Sequence, residues 1–273
     1  MKLQLALLMA IYALVVVGTA VFQRRFTYFP DRRLIHPADA GMSGVEELRL
    51  ATDDGETIVA WHVPPREGRP LILYFHGNGG SLADRVPRFR IFMASGYGLL
   101  AVSYRGYGGS SGSPTETGLV RDGEAAYREA RTLGYESDRI VLMGESLGTA
   151  IATVLAGAHD SAALVLDSPF SSAVDLAATH YWMLPMRWLL RDRYRSDLAI
   201  RDVHAPILVV HGDKDDIVPI ILARRLFDLA NEPKTFLCVA GGGHLVLDSP
   251  DTFPRVREWI DARTNAKRPR DHE

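Results

Sequence analysis

The stretch Ile140-Val141-Leu142-Met143-Gly144-Glu145-Ser146-Leu147-Gly148-Thr149-Ala150-Ile151-Ala152 decides how the rest of the chain is read. Its opening apolar run suits a short strand buried on both faces, and the small residues after Ser146 suit a closely packed helix. Gly144 and Gly148 stand two residues either side of Ser146, where a sharp strand-to-helix turn leaves no room for side chains. Such a turn holds the serine hydroxyl exposed, with a helix N-terminus behind it that favours developing negative charge. G-x-S-x-G alone is short and recurs by chance. Its place between a strand and a helix is what makes Ser146 a candidate nucleophile rather than an inert turn residue.

On both sides of this unit, strand-like and helix-like segments alternate. Residues 45–50 and 57–63 read as an antiparallel pair joined across Asp53-Asp54-Gly55. Short apolar runs at residues 71–75, 98–104, 139–143, 162–166, 206–210 and 235–239 predict further strands. Helix-length stretches fall at residues 82–94, 116–133, 147–158, 220–230 and 252–263. Alternation at this pitch predicts βαβ units with right-handed crossovers: an α/β fold whose mostly parallel sheet of about eight strands has helices on both faces. Cys238, the single cysteine, lies in one of the apolar runs and reads as a small buried hydrophobe. It rules out an internal disulfide or a cysteine-based metal site.

The rhythm breaks between Asp167 and Val203, where a Trp- and Arg-rich helical segment, His180-Tyr181-Trp182-Met183-Leu184-Pro185-Met186-Arg187-Trp188-Leu189-Leu190, stands in for a simple crossover. An insertion here sits over the C-terminal ends of the strands, where ligands bind in open α/β sheets. Residues 170–202 therefore read as a small helical cap, the plainer alternative being a long crossover.

The chain has 273 residues, 47% hydrophobic and 23% charged, with a net charge of −2. That is enough for one large domain, and it carries none of the basic patterning that nucleic acid calls for. Residues 5–22 hold no charge and are mostly aliphatic, long enough to cross a bilayer as one helix. Residues 1–25 are thus expected to be a membrane anchor, followed by a connector at 26–44, the main domain at 45–263 and a polar tail from 264. A cleaved signal peptide ending near Ala20 is the alternative, and it would export the domain. Arg24, Arg25, Arg32 and Arg33 follow the helix while only Lys2 and the amino terminus precede it. The positive-inside rule then predicts a single-pass protein with its body in the cytoplasm.

A serine nucleophile needs an oxyanion hole, an acid and a base. Leu147, next after the serine, supplies one backbone donor, and the loop Phe75-His76-Gly77-Asn78-Gly79-Gly80 supplies the second, for which Asn78 is the choice. His76 suits bracing of that loop better than acid–base work, since the base follows the acid in the chain order of this elbow type. Downstream, His211-Gly212-Asp213-Lys214-Asp215-Asp216 ends a predicted strand with three acids. Asp215 is the choice for orienting the histidine. Asp213 and Asp216 suit turns or caps, and Asp167 is a rival from the preceding strand. Gly241-Gly242-Gly243-His244 places a histidine on a pliable loop after the last strand, and His244 is the expected base.

With these residues assembled, the chain resembles the α/β-hydrolase superfamily, and within it the N-terminally membrane-anchored α/β-hydrolase domain-containing proteins. The resemblance runs in order through Tyr28-Phe29-Pro30, Phe75-His76-Gly77-Asn78-Gly79, Tyr104-Arg105-Gly106-Tyr107-Gly108-Gly109-Ser110, Gly144-Glu145-Ser146-Leu147-Gly148, Asp167-Ser168-Pro169-Phe170-Ser171-Ser172, His211-Gly212-Asp213-Lys214-Asp215 and Gly243-His244. It implies the α/β-hydrolase fold, a Ser146/Asp215/His244 triad, and a serine hydrolase that uses no metal and no cofactor. Some such relatives deacylate membrane proteins; others are orphan esterases or are grouped with serine aminopeptidases.

The expected activity is hydrolysis of carboxylic ester or thioester bonds in a small molecule, lipid or acylated protein. His76, Tyr104, Phe170, Trp182 and Trp188 are candidate substrate-pocket residues. An aminopeptidase would need an acid such as Glu145, or one in the cap, to hold the substrate amine. A non-catalytic membrane-anchored binding protein is the reading from outside enzymology.

Overall fold

Every side chain along residues 71–75 is buried, and alternate ones enter different cores. Leu71, Leu73 and Phe75 pack on one side, Ile72 and Tyr74 on the other. A strand covered twice needs helices on both faces, and the computed structural model, which describes residues 1–264, supplies them.

The described elements run α1 (Lys2–Thr27), β1 (Phe29–Pro30), β2 (Glu46–Ala51), β3 (Thr57–Val63), β4 (Leu71–Phe75), β5 (Gly79–Gly80), α2 (Val86–Ala94), β6 (Gly98–Ser103) and α3 (Glu116–Thr132). Then come β7 (Ile140–Glu145), α4 (Leu147–Ala158), β8 (Ala163–Asp167), α5 (Ala173–His180), α6 (Met186–Leu189) and α7 (Ser196–Ala199). The last are β9 (Ile207–Gly212), α8 (Ile220–Leu229), β10 (Lys234–Val239) and α9 (Phe253–Thr264). Eight strands form one sheet in the order β10-β9-β8-β7-β4-β6-β3-β2. Only the β2–β3 and β3–β6 pairs are antiparallel. Leu119 of α3, Ile151 of α4 and Leu226 of α8 fill one core, and Phe89 and Phe92 of α2 with Val256 and Ile260 of α9 fill the other.

Each expected sheet strand is present to within two residues, and the expected helices are too, except that the first opens as a 3₁₀ turn over Leu82–Arg85. Three readings need correction. Cys238 is exposed, because β10 is an edge strand covered less completely than the centre. The segment read as a connector makes a parallel β1–β5 pair, Phe29 with Gly79 and Pro30 with Gly80. Thr264, read as the start of the tail, is a fully buried residue of α9; the rest of that tail lies outside the described residues. The topology brings the ends of β7, β8, β9 and β10 side by side, and these ends carry the candidate site.

Candidate active site

Ser146 links β7 to α4 at φ 48° and ψ −113°, a backbone state that costs a non-glycine residue about 1–3 kcal/mol. Neighbouring contacts hold it there. The Ser146 N–H donates to the Asp167 carbonyl at 2.9 Å, and the Ser146 carbonyl accepts from the Thr149 N–H at 3.0 Å. A Cβ on Gly144 would come within 2.5 Å of the Gly148 carbonyl oxygen, and one on Gly148 would overlap the Phe75 carbonyl. Both glycines are thus required by close backbone approach.

Beneath the turn lies an ionic cluster that sequence reasoning missed. Glu145 is buried, with Arg85 at 2.7 Å and Arg88 at 3.6 Å, and Tyr74 Oη donates to it. The Gly77 N–H donates to Glu145 Oε1 at 3.2 Å. Burial alone would raise the Glu145 carboxyl, but Arg85 and Arg88 outweigh it and hold the group at about 2. Glu145 is therefore committed to these arginines and is not available for a substrate amine. Arg88 also lies 2.8 Å from Asp167 and 2.9 Å from Asp248. The signal in the sequence was Arg85 and Arg88 flanking Val86 and Phe89 on an otherwise core-facing surface.

His76 is fully buried, donates from Nδ1 to the Gly77 carbonyl at 2.6 Å, and packs its ring 4.4 Å from Tyr104 and 5.0 Å from Tyr107. Burial, helped by the positive Arg85, pushes the imidazole down to about 3, so it is neutral near pH 7 and suited to bracing. Asn78 is pinned through its other groups. Its side chain donates to the Thr27 carbonyl at 2.9 Å, and its carbonyl accepts from the Phe29 N–H at 2.9 Å and Tyr107 Oη at 2.7 Å. Among the described residues no hydrogen bond uses the Asn78 N–H. Leu147 is the first residue of α4, a position whose N–H has no partner within the helix.

Asp215 and His244 meet. His244 Nδ1 lies 2.7 Å from Asp215 Oδ2, while Asp215 Oδ1 accepts from the N–H groups of Ile217 at 3.0 Å and Val218 at 2.8 Å. Burial tends to raise the Asp215 carboxyl, but the His244 and Val218 hydrogen bonds more than offset it, so it stays ionised below the ordinary range. The loop reaches this place because Gly212 has no side chain: a Cβ there would strike the carbonyls of Gly242 and Gly243. Asp213 accepts from the Gly241 N–H at 2.7 Å, as a turn-former does, and Asp216 is exposed. Asp167, the rival acid, is bound to Arg88 and raised to about 6 by burial.

The pocket candidates separate. Tyr104 and Phe170 are interior, whereas Trp182 and Trp188 are 78% and 87% exposed and project outward instead of lining an interior pocket.

The region matching the family described as alpha/beta hydrolase fold covers residues 70–195. The uncharacterized protein Rv2307c of Mycobacterium tuberculosis is 40% identical over 264 residues, covering 92% of this chain and 93% of that one. This chain belongs to the α/β-hydrolase family. Lysophosphatidylserine lipase ABHD12 of Danio rerio is 30% identical over 251 residues, spanning 77% of this chain and 65% of its own length. Among solved structures, the Pyrococcus furiosus esterase Pf2001 superposes with a TM-score of 0.70 over 87% of this chain and 98% of its own, at 19% identity, a likeness of fold. The protein is an α/β-hydrolase with esterase and lipase neighbours. Its N-terminal helix has the length and apolarity of a membrane span.

Proposed function

We propose that the protein is a membrane-anchored serine hydrolase that cleaves carboxylic ester or thioester bonds of apolar acyl groups. The observation that carries this is the 2.7 Å His244–Asp215 contact at the same C-terminal end of the parallel strands as the strained Ser146 turn. His244 Nε2 takes the Ser146 proton as Oγ attacks the acyl carbon, and the tetrahedral oxyanion is held by the N–H groups of Leu147 and Asn78. Collapse expels the alcohol or thiol, which takes that proton from His244, and leaves an acyl-serine. Water then repeats the sequence: His244 accepts its proton, hydroxide adds to the acyl carbon, and Ser146 leaves with the proton returned. Asp215 keeps Nδ1 protonated and stabilises the imidazolium. General-base catalysis and each oxyanion donor typically contribute about 10²–10³-fold or more.

The apolar α1 and the esterase and lipase relatives support an acyl substrate, and the following arginines support a cytoplasmic body. The commitment of Glu145 to Arg85 weighs against an aminopeptidase. The test is labelling of the full chain by a fluorophosphonate, alongside acyl esters of increasing chain length and aminoacyl amides. Labelling lost in Ser146→Ala, with ester turnover well above amide turnover, is expected. Equal labelling of both proteins overturns the proposal.

A further inference from the structure

We propose that residues 181–188 of the cap form a membrane-embedded tip that enters the body-side leaflet alongside the C-terminal half of α1 and opens the site toward acyl esters held in that leaflet. This rests on reading α1 as a membrane anchor. Tyr181, Trp182, Met183 and Trp188 are all more than half exposed to solvent, the first three consecutive and the fourth five residues on, in α6. A soluble surface rarely gathers such a patch without something to cover it.

The patch is continuous with α1. Tyr12 Oη donates to the Met183 carbonyl at 2.9 Å. Gln23 donates to the Leu189 carbonyl at 3.0 Å and accepts from the Arg191 N–H at 2.7 Å. Arg24 pairs with Asp192 at 2.8 Å. The cap therefore follows α1 from Gln23 back to Tyr12, about 16 Å at 1.5 Å per residue. That is about half the hydrocarbon thickness of a bilayer. A spanning α1 carries Met183 well below the headgroups.

Much of the tip's backbone is paired internally, which lowers the cost of that depth. The N–H groups of Tyr181, Leu184, Met186, Trp188, Leu189 and Leu190 all donate to carbonyls within residues 177–186. The carbonyls of Met183, Arg187 and Leu189 accept from Tyr12, Arg193 and Gln23. Arg187, the one charge within the tip, lines a cleft of about 490 Å³ beside Arg193 and Arg195. Arg24, Arg25, Arg191 and Arg193 are exposed where the tip rejoins the body, which suits the headgroup level of an anionic leaflet. The tip also begins beside the acid. His180 Nε2 donates to the Ile217 carbonyl at 2.9 Å, and Ile217 donates to Asp215.

Tryptophan fluorescence of the full chain in nanodiscs tests this, with phosphatidylcholine carrying brominated or plain acyl chains. Bromine quenches only tryptophans in contact with the chains. Wild-type emission is expected to fall by roughly half, since tryptophans favour the membrane boundary and two of the four, Trp182 and Trp188, lie in the tip. The Trp182→Phe/Trp188→Phe variant, which keeps Trp61 and Trp259, should be hardly quenched. Leu14→Trp in that variant reports on α1 and should restore quenching. A quenched Leu14→Trp reporter with wild type no more quenched than the double variant overturns the tip and leaves the anchor standing. An unquenched Leu14→Trp reporter overturns the anchor reading and the tip with it.

Discussion

Glu145 at the elbow is charged yet buried, whereas Trp188 in the cap is aromatic yet almost wholly exposed. Each position follows from its partners. Arg85, Arg88, Tyr74 and the Gly77 N–H satisfy the carboxylate, so burial is tolerable. Breaking such a set is then costly, because a removed member leaves bare charge in the interior. Trp188 has no packed neighbour of that kind, and the part of the cap around it lies against α1, whereas Phe170, Tyr194 and Ile200 at the cap's two ends join the core. The elbow is determined from within the protein. The outer part of the cap leans on α1 and, on our proposal, takes its environment from the bilayer.

The largest expected effect tests whether catalytic duty belongs to the histidine loop and not to the elbow cluster. If the proposed triad operates, Asp215→Asn should lower kcat/KM for a short acyl ester by about 10⁴-fold, the loss that follows removal of the orienting acid from a Ser-His-Asp triad. Asp167→Asn should cost less than about tenfold, since Asp167 serves Arg88. Equal losses in the two would erase the division between these regions.

Stability gives the next contrast. Glu145→Ala takes the close carboxylate partner from the largely buried Arg85 and one of three from Arg88, and should destabilise the protein by about 3 kcal/mol. Trp188→Ser should change stability by less than about 0.5 kcal/mol. Thermal unfolding of both variants in detergent reads the difference, and comparable shifts would show that the cap is built into the core.

The smallest effect is one of pH. The unfolded chain protonates His76 near 6.5 and the folded protein only near 3, so acidification across that window destabilises the fold through this group. Asp167 acts oppositely: folded, it takes up its proton near 6, before the unfolded chain does near 3.9, so acidification over that range stabilises. Asp167→Asn removes the compensation. Its urea midpoint should fall more steeply than that of wild type between about pH 6 and 4. Parallel slopes would mean that Asp167 is already ionised in the fold.

Most of the sheet was legible because its strands are short apolar runs separated by helix-length segments, a pattern that survives any detail of packing. Asp215 and His244 were legible as candidates through their order and their glycine-rich surroundings. The exposed Cys238 was misread because an edge strand and a central one carry the same apolar signature. The β1–β5 pair escaped because two-residue strands have no periodicity to detect.

By itself, the sequence determined the alternating architecture, the apolar N-terminal helix and the glycine-flanked Ser146, all set by local pattern and backbone sterics. Tertiary structure alone decided that Asp215 and not Asp167 meets His244, that Glu145 is neutralised by Arg85 and Arg88, and that Trp182 and Trp188 face outward beside α1. The physical reason is the same in all three. Which charge finds a partner, and which apolar surface is left without one, depends on residues distant in sequence that only the packed sheet and its helices bring together.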